Sequence, residues 1–312
     1  MLSRVADSFY WMRRYLERAE HSARVINVHL SLSLDDPTDT VGRTLLSAVG
    51  ERPAGVPIPE IPARAEATGR VDPAHRAVVV GCVAAARENA RQIREQISAE
   101  MWEQLNRLYL VSRESQPDGP AFMRAVIEGT HLFQGVAEAT LSQGEGWHYM
   151  QLGRYMERAT TTASMLAEYF AERGNPSADA PKTGQYVEWV GLLRACAAFE
   201  AYTRAHTADV RPERLVEFLL LNADCPRSVR FAADRIEDSL RAIARVLGRE
   251  ATGRPERFAG RLRAALNFGT IDEIIADDLV RYVESIREQC DQIHAALNQT
   301  YISYALEAAI AR

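Results

Sequence analysis

No stretch of these 312 residues reaches the run of about 18 apolar residues that a bilayer crossing needs. The nearest, AVVVGCVAAA (77–86), is too short and too rich in alanine. Met1 leads into LSRVADSFYWM, with no basic segment ahead of a long apolar run, so no secretory signal is expected. The four cysteines, Cys82, Cys196, Cys225 and Cys290, lie far apart and form no CxxC pair. That excludes a dense disulfide framework and predicts reduced, buried thiols in a cytoplasmic protein. A basic excess is missing too: 37 Lys and Arg against 42 Asp and Glu give a net charge of −5, so neither nucleic acid nor a membrane is an expected partner. No period-2 alternation marks a strand, which leaves little room for a sheet.

The motif absences narrow the chemistry. There is no GxxxxGK[ST] and no GxGxxG, so ATP binding by this chain is not indicated and no cofactor is expected. There is no HExxH and no GxSxG. The one ExxH, Glu145 to His148, has Gly144 and Gly146 beside its glutamate and lacks the second copy that a two-metal bundle requires. Asp72–His75 and Asp291–His294 stand in unrelated places, and no metal site is predicted.

What is present is a repeat. RRYLERAE (13–20) returns as GRYMERAT (153–160), and six of the eleven residues of 13–23 are identical in 153–163. Apolar residues fall at Val5, Phe9, Met12, Leu16, Ala19, Ala23, Ile26 and Leu30, alternating steps of four and three. Shifted by 140, the stripe reappears at Tyr149, Leu152, Met156, Ala159, Ala163, Leu166 and Phe170, and only Glu145 breaks it. Such spacing predicts two long helices of a bundle, related by internal duplication. The predicted fold is all-α: about ten helices in two pseudo-repeated halves, residues 1–140 and 141–312, packed as one unit. WVGLLRA (189–195) echoes VGRTLLSA (41–48), and PRSVRFAADRIEDSLRAI (226–243) aligns more loosely with RAVVVGCVAAARENARQI (76–93). The proline-rich 50–73 reads as a loop inside the first half, and 173–184 as another. A helical stripe resumes at Val79 and runs to Leu108, with a break expected near Ser98, and 121–140 forms a further helix. Helices are then expected in 186–205, 211–222 and 226–247, with Pro212 and Pro226 each in a first turn. Thr270 with Glu273 predicts a capping box that opens a final helix striped from Leu279 to Tyr304.

The repeated letters off the stripe are the candidate site. Arg14, Tyr15, Glu17 and Arg18 recur as Arg154, Tyr155, Glu157 and Arg158, on or beside the face opposite the apolar stripe. A merely solvated face tolerates almost any polar residue, so three readings stand: ion pairs on a helix surface, a buried network between the halves, or a face that meets a ligand. Glu88, Asn89, Trp102, Glu103, Asn106, Arg227, Arg230 and Glu237 are secondary candidates, unusual choices for a plain solvated surface. Arginines clamp carboxylates and phosphates, and a glutamate beside them can orient an amine or act as a base. No residue is assigned a catalytic role.

MLSRVADSFYWMRRYLERAEHSARV (1–25), RENAR (87–91), EMWEQLNRLYL (100–110), GRYMERA (153–159), EAYTRA (200–205), RPERLVEFLLLN (211–222) and PRSVRFAADRIEDSL (226–240) together resemble the alpha-E domain family of bacterial all-helical proteins. The chain departs from that pattern over 35–76, where the proline-rich stretch replaces helical sequence, and at DPAHRAVVV, where an Asn-Pro helix start would stand. Members of the family occur beside, or fused to, circularly permuted ATP-grasp ligase-like and transglutaminase-like proteins, some near a proteasome-like peptidase. The resemblance therefore implies an ATP-driven system that forms amide or peptide bonds or modifies proteins. Within it, one reading makes this chain a non-catalytic partner that binds the ligase or its peptide substrate. A transglutaminase-like protein is a second candidate partner. The other reading is an enzyme whose Glu/Arg/Tyr face positions an aminoacyl or acyl-phosphate group. A closed polar cavity favours the enzyme, and a broad exposed apolar patch favours the partner.

Overall fold

A computed structural model describes residues 1–35, 44, 46, 72–113, 119–176, 184–207 and 209–303. Those residues form twelve α-helices and no strand. In chain order they are α1 Ser3–Asp35, α2 Pro73–Gln92, α3 Ala99–Arg113, α4 Gly119–Thr140, α5 Glu145–Arg173 and α6 Gln185–Ala195. There follow α7 Phe199–His206, α8 Pro212–Leu221, α9 Val229–Val246, α10 Arg254–Phe268, α11 Ile271–Asp277 and α12 Leu279–Leu297, the last running into a π-helical turn at Asn298–Ser303. Among the described residues no helix is long and apolar enough to cross a membrane. Most of the expected piece at 41–49 and almost all of the loop at 50–73 lie outside the described residues.

The helices join in two rings of four. α1 packs on α2 and α4, and α3 closes that ring between α2 and α4. α5 packs on α9 and α12, and α10 closes the second ring between them. The rings meet along α1 and α5, and α6 lies against α1. α1 and α5 run parallel and nearly in register, because Met1 pairs with Glu145, Arg14 with Glu157 and Arg18 with Glu157. The stripe alone does not cover these two helices. Phe9, Met12, Leu16 and Ala19 are buried in α1, and so are Tyr10, Arg13, Arg14, Glu17, Glu20 and His21 on its other sides.

The close approach of α1 and α5 has a sequence cause. Gly153 stands where the first copy has Arg13, and a Cβ there would overlap the main-chain carbonyl of Tyr10. Gly146 likewise abuts the ring of Phe9. Gly153→Ala should therefore push the two central helices apart and lower stability by about 1–3 kcal/mol, the usual range for overpacking. Chemical denaturation measures it, and an unchanged midpoint would mean that the helices approach less closely than this.

Local signals set the helix ends. Asp72 accepts a hydrogen bond from the Ala74 amide at 2.8 Å, with Pro73 at the first helical position. The Asp-Pro pair thus caps α2 with a side-chain carboxylate. The break expected near Ser98 is there: a 3-10 turn covers Arg94–Gln96, and Ser98 Oγ accepts from the Met101 amide at 3.1 Å to start α3. Three boundaries differ from expectation. Residues 186–205 are two helices, because Ala197 sits at φ 50° between α6 and α7. Pro226 lies in the turn before α9, and Ser228 is the cap, accepting from the Phe231 amide at 3.0 Å. The Thr270–Glu273 capping box is formed but opens the short α11, after which Asp278 caps α12 separately. The two splits and the unexpected α10 add three helices, and the described residues hold twelve.

Candidate functional site

The two repeated glutamates cross-pair. Glu157, fully buried on α5, accepts from Arg14 Nε at 2.9 Å and Arg18 Nε at 2.6 Å, both on α1. Glu17, buried on α1, accepts from Arg158 Nε on α5 and lies 3.7 Å from Arg154 Nε. Each copy of the repeat thus presents its glutamate to the arginines of the other. Two ions taken out of water are strongly disfavoured alone, and only close pairing offsets the desolvation. Tyr15 and Tyr155 are buried beside this crossing. Tyr15 stacks near Trp11 at 5.6 Å, and Tyr155 stands between Arg154 and Arg158 and 5.9 Å from Phe231. The eight primary candidates are brought together, as an interior network between α1 and α5.

The network extends to both sides. Arg227, in the turn before α9, bridges Glu17 Oε1 at 3.0 Å and Glu20 Oε2 at 2.8 Å. Glu20 also accepts from Arg24 Nε at 2.9 Å and lies 3.5 Å from His131 Nε2. Arg13 meets Glu17 at 3.3 Å. On the other side Arg14 donates to Tyr10 Oη at 3.2 Å. Tyr10 Oη lies 3.0 Å from His294 Nδ1, whose Nε2 faces Asn298 Nδ2 at 3.0 Å. Burial opposes ionisation of Glu17, yet Arg158, Arg227 and Arg13 outweigh it and hold the carboxyl at about 2. Glu157 is held below the usual carboxylate range by Arg18 and Arg14 against the same burial. Burial and the neighbouring Arg154 pull Arg13 down to about 9, and burial and Arg227 pull Arg158 down to about 10.

Around Glu17 and Glu20 the helices leave a cavity of about 190 Å³. Arg13, Arg154, Arg158 and Arg227 line it from one side, and Thr130, His131 and Gln134 of α4 from the other. A larger groove of about 580 Å³ continues along α1 and α4 toward α6, past Arg24, Val28, Leu32, Ile127 and Val190.

Of the secondary candidates, Arg227 alone joins the centre. Glu88 forms an exposed pair with Arg91, and Asn89 donates to the Ala85 carbonyl. Asn106 accepts from Arg87, whose guanidinium also lies over Trp102, and Glu103 is exposed. Arg230 donates to the Leu221 carbonyl, and Glu237 pairs with Arg241 and Arg263 in a separate cluster. Arg13, Glu20, Tyr10, His131, Gln134 and His294 join the network or line the cavity and were not revealed by the repetition, because their counterparts differ in type or do not exist in the second copy. The (i,i+4) and (i,i+7) spacing of Arg13, Glu17, Glu20 and Arg24 was the available signal. All four cysteines are buried and free, and burial pushes Cys82, Cys196 and Cys290 up to about 12. Among the described residues no three His, Cys, Asp or Glu side chains are grouped to hold a metal ion.

A family model described as "a predicted alpha-helical domain with a conserved ER motif" matches residues 1–302. The chain belongs to the Alpha-E family. Uncharacterized proteins of Mycobacterium bovis and of two strains of Mycobacterium tuberculosis are each 25% identical to it over 325 aligned residues. The alignments cover 94% of this Alpha-E chain but 35% of each relative, so the chain spans about a third of the length of these curated relatives. No solved structure matches it. The crossed pairs at the centre of this Alpha-E chain are two ER dipeptides, Glu17–Arg18 and Glu157–Arg158.

Proposed function

We propose that this chain is a non-catalytic helical component of an ATP-grasp-linked system that forms amide or peptide bonds or modifies proteins, and that it holds the ligase or the ligase's peptide substrate. The observation that carries this reading is the mutual saturation of Glu17 and Glu157 by arginines. A general base works best with a pKa near the working pH. A carboxylate held at about 2 by the arginines around it is a weak base at neutral pH. The protonated, buried thiols offer no nucleophile either. The larger opening is the groove along α1, α4 and α6, whose volume of about 580 Å³ lies in the range of ligand-sized clefts.

The crossed ER pairs also support reading the chain as two duplicated halves, since each glutamate takes the other copy's arginines and each central helix heads a ring of four. The enzyme reading keeps one observation in its favour, the arginine-lined cavity, where an acyl phosphate would find cationic partners.

Calorimetric titration of the purified chain with ATP and magnesium, then with the ligase, separates the two. The expected result is binding of the ligase and none of the nucleotide. Micromolar nucleotide binding by this chain alone would overturn the partner reading in favour of the enzyme.

A further inference from the structure

The cavity beside Glu17 and Glu20 is under-neutralised. Arg13, Arg14, Arg18, Arg24, Arg154, Arg158 and Arg227 stand against Glu17, Glu20, Glu157 and the exposed Glu138, seven guanidinium groups to four carboxylates. The excess concentrates on Arg13 and Arg154. The Nε of each is buried without a hydrogen-bond partner in the protein. Arg13 has a single contact with Glu17 at 3.3 Å, and Arg154 reaches Glu17 at 3.7 Å and the exposed Glu138 at 3.9 Å, both beyond hydrogen-bond length. A third lining residue adds an orphan of the opposite kind. Gln134 Nε2 donates to Glu138 at 2.6 Å, which fixes the amide, and Gln134 Oε1 is then a buried acceptor with no donor. Buried polar atoms are normally paired, and three orphans belong to side chains that line one cavity: two cationic forks and one carbonyl oxygen, a set that an anion with an adjacent N–H would complete.

We propose that this cavity binds the C-terminal residue of a peptide, with its carboxylate held by Arg13 and Arg154 and its backbone N–H donated to Gln134 Oε1. The proposal builds on the peptide-holding reading above and gives it a direction. The groove supplies the rest of the path. Along α1 the cavity residues are Arg13, Glu17 and Glu20, and the groove residues follow at Arg24, Asn27 and Val28. Along α4 the cavity takes Gln134, His131 and Thr130, and the groove Ile127, one turn further. Cavity and groove are therefore successive stretches of one antiparallel helix pair, and a chain anchored by its terminal carboxylate in the first would lie along the second. Glu17 and Glu20 do not repel the anion effectively, because each is already engaged by two or more cations on the protein side. Burial first, and then repulsion from Arg154, draws Arg13 down, and a carboxylate entering between the two guanidinium groups relieves that repulsion.

The test uses the purified full chain and small probes in calorimetric or NMR titration. N-acetylglycine, which carries the carboxylate and the amide N–H of a peptide terminus, should bind at millimolar concentration. N-acetylglycinamide, without the carboxylate, should not, and acetate, without the N–H, should bind more weakly. Arg154→Met keeps most of the side chain's length on a partly exposed position and should weaken N-acetylglycine binding by about tenfold or more, the usual weight of hydrogen bonds to a charged group. Gln134→Leu should weaken N-acetylglycine and leave acetate unchanged. Both variants should keep the parent's thermal midpoint, which separates a lost ligand contact from a lost fold. The proposal is overturned if no probe binds, if N-acetylglycinamide or inorganic phosphate binds as well as N-acetylglycine, if Arg154→Met leaves the affinity intact, or if free glycine binds more tightly than the acetylated form, which would mark a free amino acid as the ligand. A ligase retained by a chain that binds no probe would sink this inference and leave the partner reading standing. Probe binding without ligase retention would do the reverse.

Discussion

Glu157→Ala should destabilise the protein by about 3–5 kcal/mol, the range measured when one partner of a buried ion pair is removed. For a chain of this size that corresponds to a fall in thermal midpoint of roughly 5–8 °C. The cause is what stays behind. Glu157 is completely buried and is the hydrogen-bonded counter-ion of both Arg14 and Arg18. Without it, two cations remain in the contact between α1 and α5, and Arg18 Nη1 and Nη2 already have no partner there. Glu157→Gln should fall between wild type and alanine, because the amide oxygen still accepts one hydrogen bond but carries no charge. The triple variant Glu157→Leu, Arg14→Met, Arg18→Met should recover most of the loss, since well-packed apolar groups often replace a buried ionic cluster without penalty. Glu88→Ala, which breaks an exposed pair with Arg91, is the control and should not move the midpoint measurably. A Glu157→Ala protein as stable as its parent would show that the crossed ER pairs do not hold the two rings together.

The fold was largely legible because α1 and α5 advertise themselves twice, by a sustained stripe and by a repeat at an offset of 140. Helices whose ends carry ordinary chemistry were also legible, as at Ser98, Pro212 and Thr270. Two of the misreadings share one origin. Between α6 and α7, and between α11 and α12, the apolar spacing continues past a local backbone break at Ala197 or Asp278, and spacing reports which face is buried, not whether the helix is continuous. The repeat also singled out the central residues but not their setting. On a helical wheel Arg14, Glu17 and Arg18 lie opposite the stripe, which in an isolated amphipathic helix means solvent. Here that side is covered by a second copy of itself, and a polar letter cannot distinguish water from a counter-ion. Residues present in one copy only, Arg13 and Glu20 above all, were passed over because identity between copies was the filter. They build the cavity for the same reason: one copy has arginine where the other needs glycine for close packing.

Acid should unfold this protein well before its buried carboxylates titrate. His21 and His294 are buried, and burial, joined at His294 by the charge of Arg14, lowers both imidazoles from 6.5 to about 4. They are neutral in the folded chain at pH 5, whereas in the unfolded chain they are protonated. Between pH 6.5 and 4 the unfolded state therefore binds up to two protons at these histidines that the folded state does not, with a smaller share at His148, lowered by burial and by Arg245, so stability falls as pH falls, by at most about 1.4 kcal/mol per pH unit for each histidine. Over the whole window each contributes on the order of 3 kcal/mol, present above pH 6.5 and lost by pH 4. Glu17, Glu20 and Glu157 act later: their depressed folded pKa values give stability that is complete above the ordinary glutamate range and is lost on descent toward pH 2. Asp7 and Asp291, raised by burial, oppose the trend and soften it just above the ordinary aspartate range. Urea midpoints measured at pH 7, 5.5 and 4.5 should drop steadily. His21→Leu isolates one proton, because burial alone dominates the imidazole's shift and the α1 backbone is undisturbed by the change. That variant should lose about half of the slope between pH 6.5 and 4.5 while its stability at pH 7 stays near that of the parent. A midpoint that is flat over this window, or a slope that His21→Leu leaves unchanged, would mean that the imidazoles take up their protons in the folded chain.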